Sequence, residues 1–389
     1  MARYHIDIIF IGGDQPMSAK AEFTIGVEEE YQIINPRTRE LASKSNKLID
    51  ANQPDSKCQD LLYELHRCQV EIATGICQTL EDVRRELTQA RRSAIEASQS
   101  HGLAIAAAGT HPFSKWQNQE VTPKERYRNL DQVLQQLIRE MVIFGCHVHV
   151  GIADREAAVE VVNRARLWLP TLLSLTANSP FWLGRDTGYH SYRMELWCRL
   201  PTAGPPPHFR NYSDYQSFIQ QLIDTDITDE PTKIYWDIRL SERFPTVEFR
   251  VADVCGTVDE AVMFAGIVRA LAQTCYQDFQ TNKPYPEIRS ELLKAAMWQA
   301  ARYGTQGELV DFTNLQPIAA VDSIHGLLNY IHPVLEEHGD WQTVSKQVEA
   351  ILSGGNSAQR QRQVYKTSGD YKAVVDYLVK QTLPSIGYR

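Results

Sequence analysis

From Ile143 to Ile152 the chain alternates, with Phe144, Cys146, Val148, Val150 and Ile152 opposing Gly145, His147, His149 and Gly151. Successive side chains of a strand point to opposite faces, so this segment specifies a strand with one apolar and one polar face. The constraint recurs: Phe23, Ile25, Val27, Tyr31 and Ile33 fall on one side of a second strand, and Thr24, Glu28, Glu30 and Gln32 on the other. Gln69 to Ala73 reads as a third. Ile234 to Leu240 and Thr246 to Ala252, separated by Ser241 to Pro245, read as a hairpin whose polar sides carry Asp237 with Arg239 and Glu248 with Arg250. Such strands need a sheet with one wet face, which antiparallel sheets tolerate. Glu29 breaks the pattern by falling on the apolar side, where an unpaired carboxylate is costly. It requires a basic partner, a bulge or a sheet edge.

Helical signals lie between the strands. Thr79 followed by Asp82 has the form of a capping box and predicts a helix to about His101, with Leu80, Val83, Leu87, Ala90 and Ala94 at helical spacing and Gly102 as its stop. Leu103 to Ala108 then reads as a buried strand. A helix from about Arg155 to Ala177, bent at Pro170, precedes the irregular run from Asn178 to Tyr192, a long loop of the kind that carries binding groups. Thr257 with Glu260 opens another helix, and Leu292 to Tyr303 reads as one more. No internal repeat or interdomain linker is found. The pattern predicts an α+β fold: a largely antiparallel sheet, helices on one face, and an open active face on the other. Residues 1–22 are expected to form a poorly ordered extension, and 23–389 a single catalytic domain.

Composition narrows the function. Of 389 residues 43% are hydrophobic, enough for a large core, and the net charge of -8 disfavours a nucleic-acid surface while leaving small anionic ligands open. No run approaches the roughly 20 apolar residues of a membrane helix. Seven cysteines, at 58, 68, 77, 146, 198, 255 and 275, form no CxxC pair or zinc-ribbon spacing, so most are expected to be reduced and buried. The apolar stretch Ile6 to Ile11 is short and interrupted by Asp7, so it is not read as a signal peptide and a cytoplasmic location is expected. Met17 is an alternative start, because the regular pattern begins after it. A homo-oligomer stays open.

The polar strand faces present Glu28 and Glu30, Glu71, His147 and His149, and Glu248 and Arg250, with hardly any lysine. Two carboxylates about 4 Å apart repel by roughly 4 kcal/mol at an effective dielectric near 20, so a converging cluster requires cations or protonation. Oxygen-rich ligands with one or two imidazoles favour Mg2+ or Mn2+ over zinc. Each element alone has a plainer explanation: a charged strand edge for Glu28 to Glu30, a structural pair for His147 and His149, a surface ion pair for Glu248 and Arg250. Glu64 has the opposite strand parity to Glu71 and joins such a cluster only from a preceding turn or helix. GxxxxGK[ST] and GxGxxG are both absent, which argues against the usual nucleotide loops but not against ATP held through metals.

Several motifs occur in order: Gly26-Val27-Glu28-Glu29-Glu30-Tyr31, Glu64-Leu65-His66-Arg67-Cys68-Gln69-Val70-Glu71-Ile72-Ala73-Thr74, Gly145-Cys146-His147-Val148-His149-Val150-Gly151 and Thr246-Val247-Glu248-Phe249-Arg250. With Ala177 to Trp182, Gly184 to Tyr189, Tyr192-Arg193 and Leu200 to Pro206, they resemble the bacterial type 2 glutamate-cysteine ligases, a family of carboxylate-amine ligases. The resemblance runs from about Phe23 to Tyr303. It implies a glutamine-synthetase-like sheet whose funnel holds ATP and Mg2+ or Mn2+, with glutamate and cysteine as substrates. Carried over by motif, Glu28, Glu30, Glu64, Glu71, His147 and Glu248 are implied as metal ligands or their close neighbours. Glu248 and Arg250 are the implied catalytic pair, with Arg250 facing the transferred phosphoryl group. Arg193 is implied to hold the substrate carboxylate, and Arg302 to contact phosphate. The rivals are a guanidino-type phosphotransferase, a ligase for a different carboxylate and amine, a metal-dependent hydrolase on His147 and His149, and a binding protein without turnover.

Overall fold

The computed structural model describes residues 23–49 and 61–383; the expected extension, residues 1–22, lies outside them, as does Cys58. The strands in chain order are β1 (Ile25–Ile34), β2 (Leu61–Tyr63), β3 (Gln69–Ala73), β4 (Ala104–Ala106), β5 (Gly145–Gly151), β6 (Phe181–Trp182), β7 (Arg185–Asp186), β8 (Ile238–Leu240), β9 (Thr246–Asp253), β10 (Glu308–Asp311) and β11 (Gln316–Ala319). One sheet runs β2-β3-β1-β5-β9-β8, with β4 paired to the end of β1, and every pairing in it is antiparallel. β6 with β7 and β10 with β11 form separate two-stranded ribbons.

The apolar face carries Ile25, Val27, Tyr31 and Ile33 of β1, Val70 and Ile72 of β3, Val148 and Val150 of β5, and Val247 and Phe249 of β9, all in one buried core. Two helices cover it. Leu80–Ser100 starts at the expected capping box, where Thr79 and Asp82 exchange hydrogen bonds of 3.1 Å, and stops at Gly102, whose φ of 66° is left-handed. The Val258–Gln280 helix is buried at every position from Glu260 to Cys275, as befits a helix packed on all sides. Its Thr257 cap accepts from the Glu260 amide at 3.2 Å.

Glu29 finds its partner on the first of these helices. Arg91 donates to it from Nε at 2.9 Å and from Nη2 at 2.5 Å, and the Tyr31 hydroxyl donates to the same carboxylate. Arg91 also donates to the carbonyls of Cys255 at 2.9 Å and Gly256 at 3.2 Å, and neither Arg91 nor Glu29 is exposed. A basic partner, not a bulge or an edge, resolves the anomaly.

Three expected elements are markedly shorter than their sequence patterns. The strand expected from Leu103 to Ala108 keeps only Ala104–Ala106. The helix expected from Arg155 to Ala177 divides into Arg155–Ala165, a single 3-10 turn, and Leu169–Thr176, because Pro170 has no N–H to continue the ladder and is tolerated only in a first turn. The hairpin strand expected from Ile234 begins at Ile238, since Trp236 bridges to Gly204 and the Asp237 amide donates to the Gly204 carbonyl at 2.9 Å. The described cysteines are all unpaired, and all but the half-buried Cys198 are buried. Among the described residues no helix is long and apolar enough to cross a membrane.

Candidate active site

Strand register assembles the polar face. Glu28 lies opposite His147 across β1 and β5, Glu30 opposite Glu71 across β1 and β3, and His149 opposite Glu248 across β5 and β9. Arg239 on β8 completes the row opposite Glu248. Between β5 and β9 the register shifts, so that Cys146 faces Ala252 while Val148 faces Phe249, and Arg250 and Val251 together oppose His147. This bulge switches parity along β9: Glu248 and Arg250 before it and Asp253 after it all reach the polar side.

Glu28, Glu30, Glu71, His147, His149, Glu248 and Arg250 line a cavity of about 290 Å³ with Glu64, Tyr127 and the cations Lys124, Arg126, Arg239 and Arg243. Glu64 enters from the turn directly after β2, one of the two routes its parity left open, and accepts from the Tyr127 hydroxyl at 3.0 Å. His147 Nδ1 lies 3.3 Å and His149 Nε2 3.4 Å from Glu28. Glu248 accepts from Arg239 Nε at 2.9 Å and from Arg250. Glu30 accepts from the Gly145 amide at 2.7 Å.

The acids fall into two electrostatic groups. Burial opposes ionisation of Glu28 and Glu248, but His149 and His147 for the first, and Arg239 and Arg250 for the second, hold both carboxyls well below the usual range. Burial and the Glu64 charge push Glu30 up to about 8 despite Arg193. Burial also raises Glu64, and burial with Glu28, Glu64 and Glu30 raises Glu71 far more. Burial, with Arg250 adding to it, lowers His147 to about 4, leaving a neutral imidazole able to ligate. Crowded carboxyls of which Glu30, Glu64 and Glu71 form no ion pair among the described residues fit a divalent cation with oxygen ligands. Glu28, His147 and Glu248 each place a ligand atom within 4.8 Å of the others.

Of the residues singled out from the sequence, Glu28, Glu30, Glu64, Glu71, His147, Glu248 and Arg250 converge on this cavity, and Arg193 and Arg302 do not line it. Arg193 lies behind it, 2% exposed, donating from Nη2 to the Arg250 carbonyl at 3.3 Å. Gly145 makes room for it: a Cβ there would stand 2.5 Å from Arg193 Nη2. Arg302 instead borders a depression of about 380 Å³ with Asp186, His190 and Arg362, and donates to the Gly188 carbonyl. The sequence reading did not single out Lys124, Arg126 and Tyr127, carried by or beside the Glu125–Leu134 helix, for which no periodic signal was recognised. Asp237 was noted only as the neighbour of Arg239.

The family model described as "Glutamate-cysteine ligase family 2(GCS2)" matches residues 24–377. A protein of Herpetosiphon aurantiacus named "Putative glutamate--cysteine ligase 2" is 40% identical over 364 residues, covering 94% of each chain. One of the same name from Rhodopirellula baltica is 40% identical over 366 residues, covering 93% of this chain and 97% of its own. The fold is also that of a Francisella tularensis glutamate-cysteine ligase crystallised with AMP, at a TM-score of 0.71 and 16% identity over 94% of this chain and 90% of that one. The chain belongs to glutamate-cysteine ligase family 2 and is thereby an ATP-dependent ligase that joins a carboxylate to an amine.

Proposed function

We propose that the protein phosphorylates the γ-carboxylate of glutamate with ATP and couples the resulting acyl phosphate to the amine of cysteine, forming γ-glutamylcysteine. The observation that carries this is the cavity itself, where raised carboxyls stand beside the guanidiniums of Arg239 and Arg250. Phosphoryl transfer needs charge neutralisation and in-line positioning, not a covalent nucleophile, and those are the means this cavity offers. The Francisella neighbour, bound to AMP, supports a nucleotide in this fold.

Glu28, Glu30, Glu64, Glu71, His147 and Glu248 would hold Mg2+ or Mn2+, which when bound neutralises the phosphates of ATP. Arg250 would direct its planar fork at the transferred group, and Glu248, pairing with both Arg239 and Arg250, would hold that fork in place. Arg193, behind the cavity, would add positive potential toward the substrate carboxylate. Arg302 reaches its own depression, so a phosphate contact there would belong to a second position along the ligand.

Incubation with ATP, Mg2+, glutamate and a panel of amines, reading ADP and product mass together, tests the proposal. γ-Glutamylcysteine with stoichiometric ADP and free phosphate is expected. A different amide would remove cysteine or glutamate, phosphate retained on the acceptor would make the protein a phosphotransferase, and no ADP with any pair would overturn the reaction.

A further inference from the structure

Behind the cavity lies a buried carboxyl, that of Asp237, which the proposed reaction does not use. Asp237 precedes β8 and is wholly buried, and neither of its carboxylate oxygens completes a hydrogen bond. Its main chain is held: its amide donates to the Gly204 carbonyl at 2.9 Å, and its carbonyl accepts from the Arg250 amide at 2.8 Å. Asp237 and Arg250 are therefore adjacent on the polar face. Arg193 and Arg250 lie over the same Trp197 ring, with guanidinium carbons 5.6 and 5.3 Å from its centroid. The Nε atoms of both arginines and the Trp197 indole N–H are buried without partners, as are the oxygens of Asp237. Burial pushes the Asp237 carboxyl up to about 7, against the opposing pull of the Arg193 and Arg250 guanidiniums and the nearby Trp197 indole.

Unpaired donors and an unpaired acceptor in one buried knot are costly as they stand, and their charges are complementary. Two buried guanidiniums that share one ring repel each other unless an anion stands by. Asp253 Oδ1 lies 3.9 Å from Arg193 Nη1, and Glu248 serves Arg250, but Glu248 is also a candidate metal ligand, and a carboxylate engaged by a cation is a weaker acceptor. Asp237 is not in the cavity lining and cannot meet a substrate amine, so it is not the missing proton acceptor.

We infer that Asp237 is a positioning residue, a buried counter-charge beside Arg193 and Arg250 that keeps the Arg250 fork aimed at the transferred group. This inference rests on the proposed phosphoryl transfer.

The test is Asp237→Asn in wild-type and Arg250→Lys backgrounds, following single-turnover ADP formation with saturating carboxylate and no amine, together with nucleotide affinity. A displacement of about 1 Å costs about 100-fold in rate, so Asp237→Asn is expected to slow ADP formation on that order while affinity and KM stay within about 2-fold. In the Arg250→Lys background the same change should cost less than about 3-fold, because one interaction is lost once. A rate within 2-fold of wild type, fully multiplicative losses, or a defect confined to the amine step would overturn the inference. Should Asp237→Asn not fold, Asp237→Glu keeps the charge but displaces it by one methylene, and a wild-type rate in that variant would be equally fatal. The chelated protein supplies an arm independent of turnover: Asp237→Asn or Asp237→Glu should melt below wild type, and an unchanged melting temperature counts against the inference. If wild type forms no ADP at all, the proposed reaction fails while this arm still decides on Asp237.

Discussion

Glu28, Glu29 and Glu30 are consecutive on β1, yet they inhabit opposite electrostatic worlds. Glu29, on the apolar face, is answered in full by Arg91 and Tyr31. Glu28 and Glu30, on the other face, belong to a group in which Glu30, Glu64 and Glu71 form no ion pair among the described residues and are all shifted upward. The same residue type is a structural part where its charge is balanced within the chain and a functional part where the balance is left for a ligand to complete. Glu29 is wholly buried and Glu28, Glu30, Glu64 and Glu71 are half-buried at the cavity wall, but what sets the two groups apart is satisfaction more than depth.

The largest expected effect breaks the unbalanced side. Glu248→Gln or Glu71→Gln should abolish ATP turnover, more than about 1,000-fold in ADP release, with circular dichroism unchanged, and chelation of wild type should do the same. Near-native rates in either variant, or full activity after rigorous chelation, would remove that residue or the metal from the mechanism. Next comes Arg250→Lys, which keeps the charge and loses the fork: single-turnover ADP formation should fall about 100-fold with nucleotide affinity nearly unchanged. Equal rates would reduce Arg250 to a partner of Glu248, and a parallel loss of affinity would make its role ground-state binding.

The balanced side should respond in stability instead. Glu29→Gln leaves the buried Arg91 guanidinium without its counter-charge and should cost about 3–5 kcal/mol in urea unfolding, while activity per folded molecule is retained. A loss of activity without a loss of stability would invert the comparison. The smallest effect is a pH trend in the chelated protein. A carboxyl whose folded pKa is raised contributes stability that is full below its unfolded value and is lost as pH rises through the folded one. Glu30, Glu64 and Glu71 all have this sign, and Glu30 titrates between its ordinary 4.5 and about 8. Glu28 and Glu248 have the opposite sign and lose their contribution only as pH falls below the ordinary carboxylate range. The buried residues His66, His111, His147 and His190, lowered by burial, act with the opposite sign, so the test is the difference: between pH 5 and 8 chelated wild type should lose melting temperature relative to Glu71→Gln, and the difference should shrink with Mg2+ present. Parallel profiles without metal would mean the crowded acids are already neutralised by the chain.

What the sequence determined by itself was local and periodic. Alternation placed Glu28 and Glu30 on one face of β1 and Glu29 on the other. Thr79 with Asp82, and Thr257 with Glu260, marked helix starts, because capping spans only a few residues. Parity also limited Glu64 to a preceding turn or helix, and it lies directly after β2. Tertiary structure decided everything that depends on which distant segments meet. The partner of Glu29 lies 62 residues away on a helix. Strand register brought Glu28 to His147 and Glu30 to Glu71, and the bulge that carries Arg250 and Asp253 to the same side is invisible to a period of two. Arg193 and Arg302, both singled out by motif, come to rest behind the cavity and in a separate depression, while Lys124, Arg126 and Tyr127 arrive at its wall from a helix that announces nothing. Periodicity is set by backbone geometry and is written in each segment alone, whereas register and convergence are set by the packing of the whole core, to which no single segment holds the key.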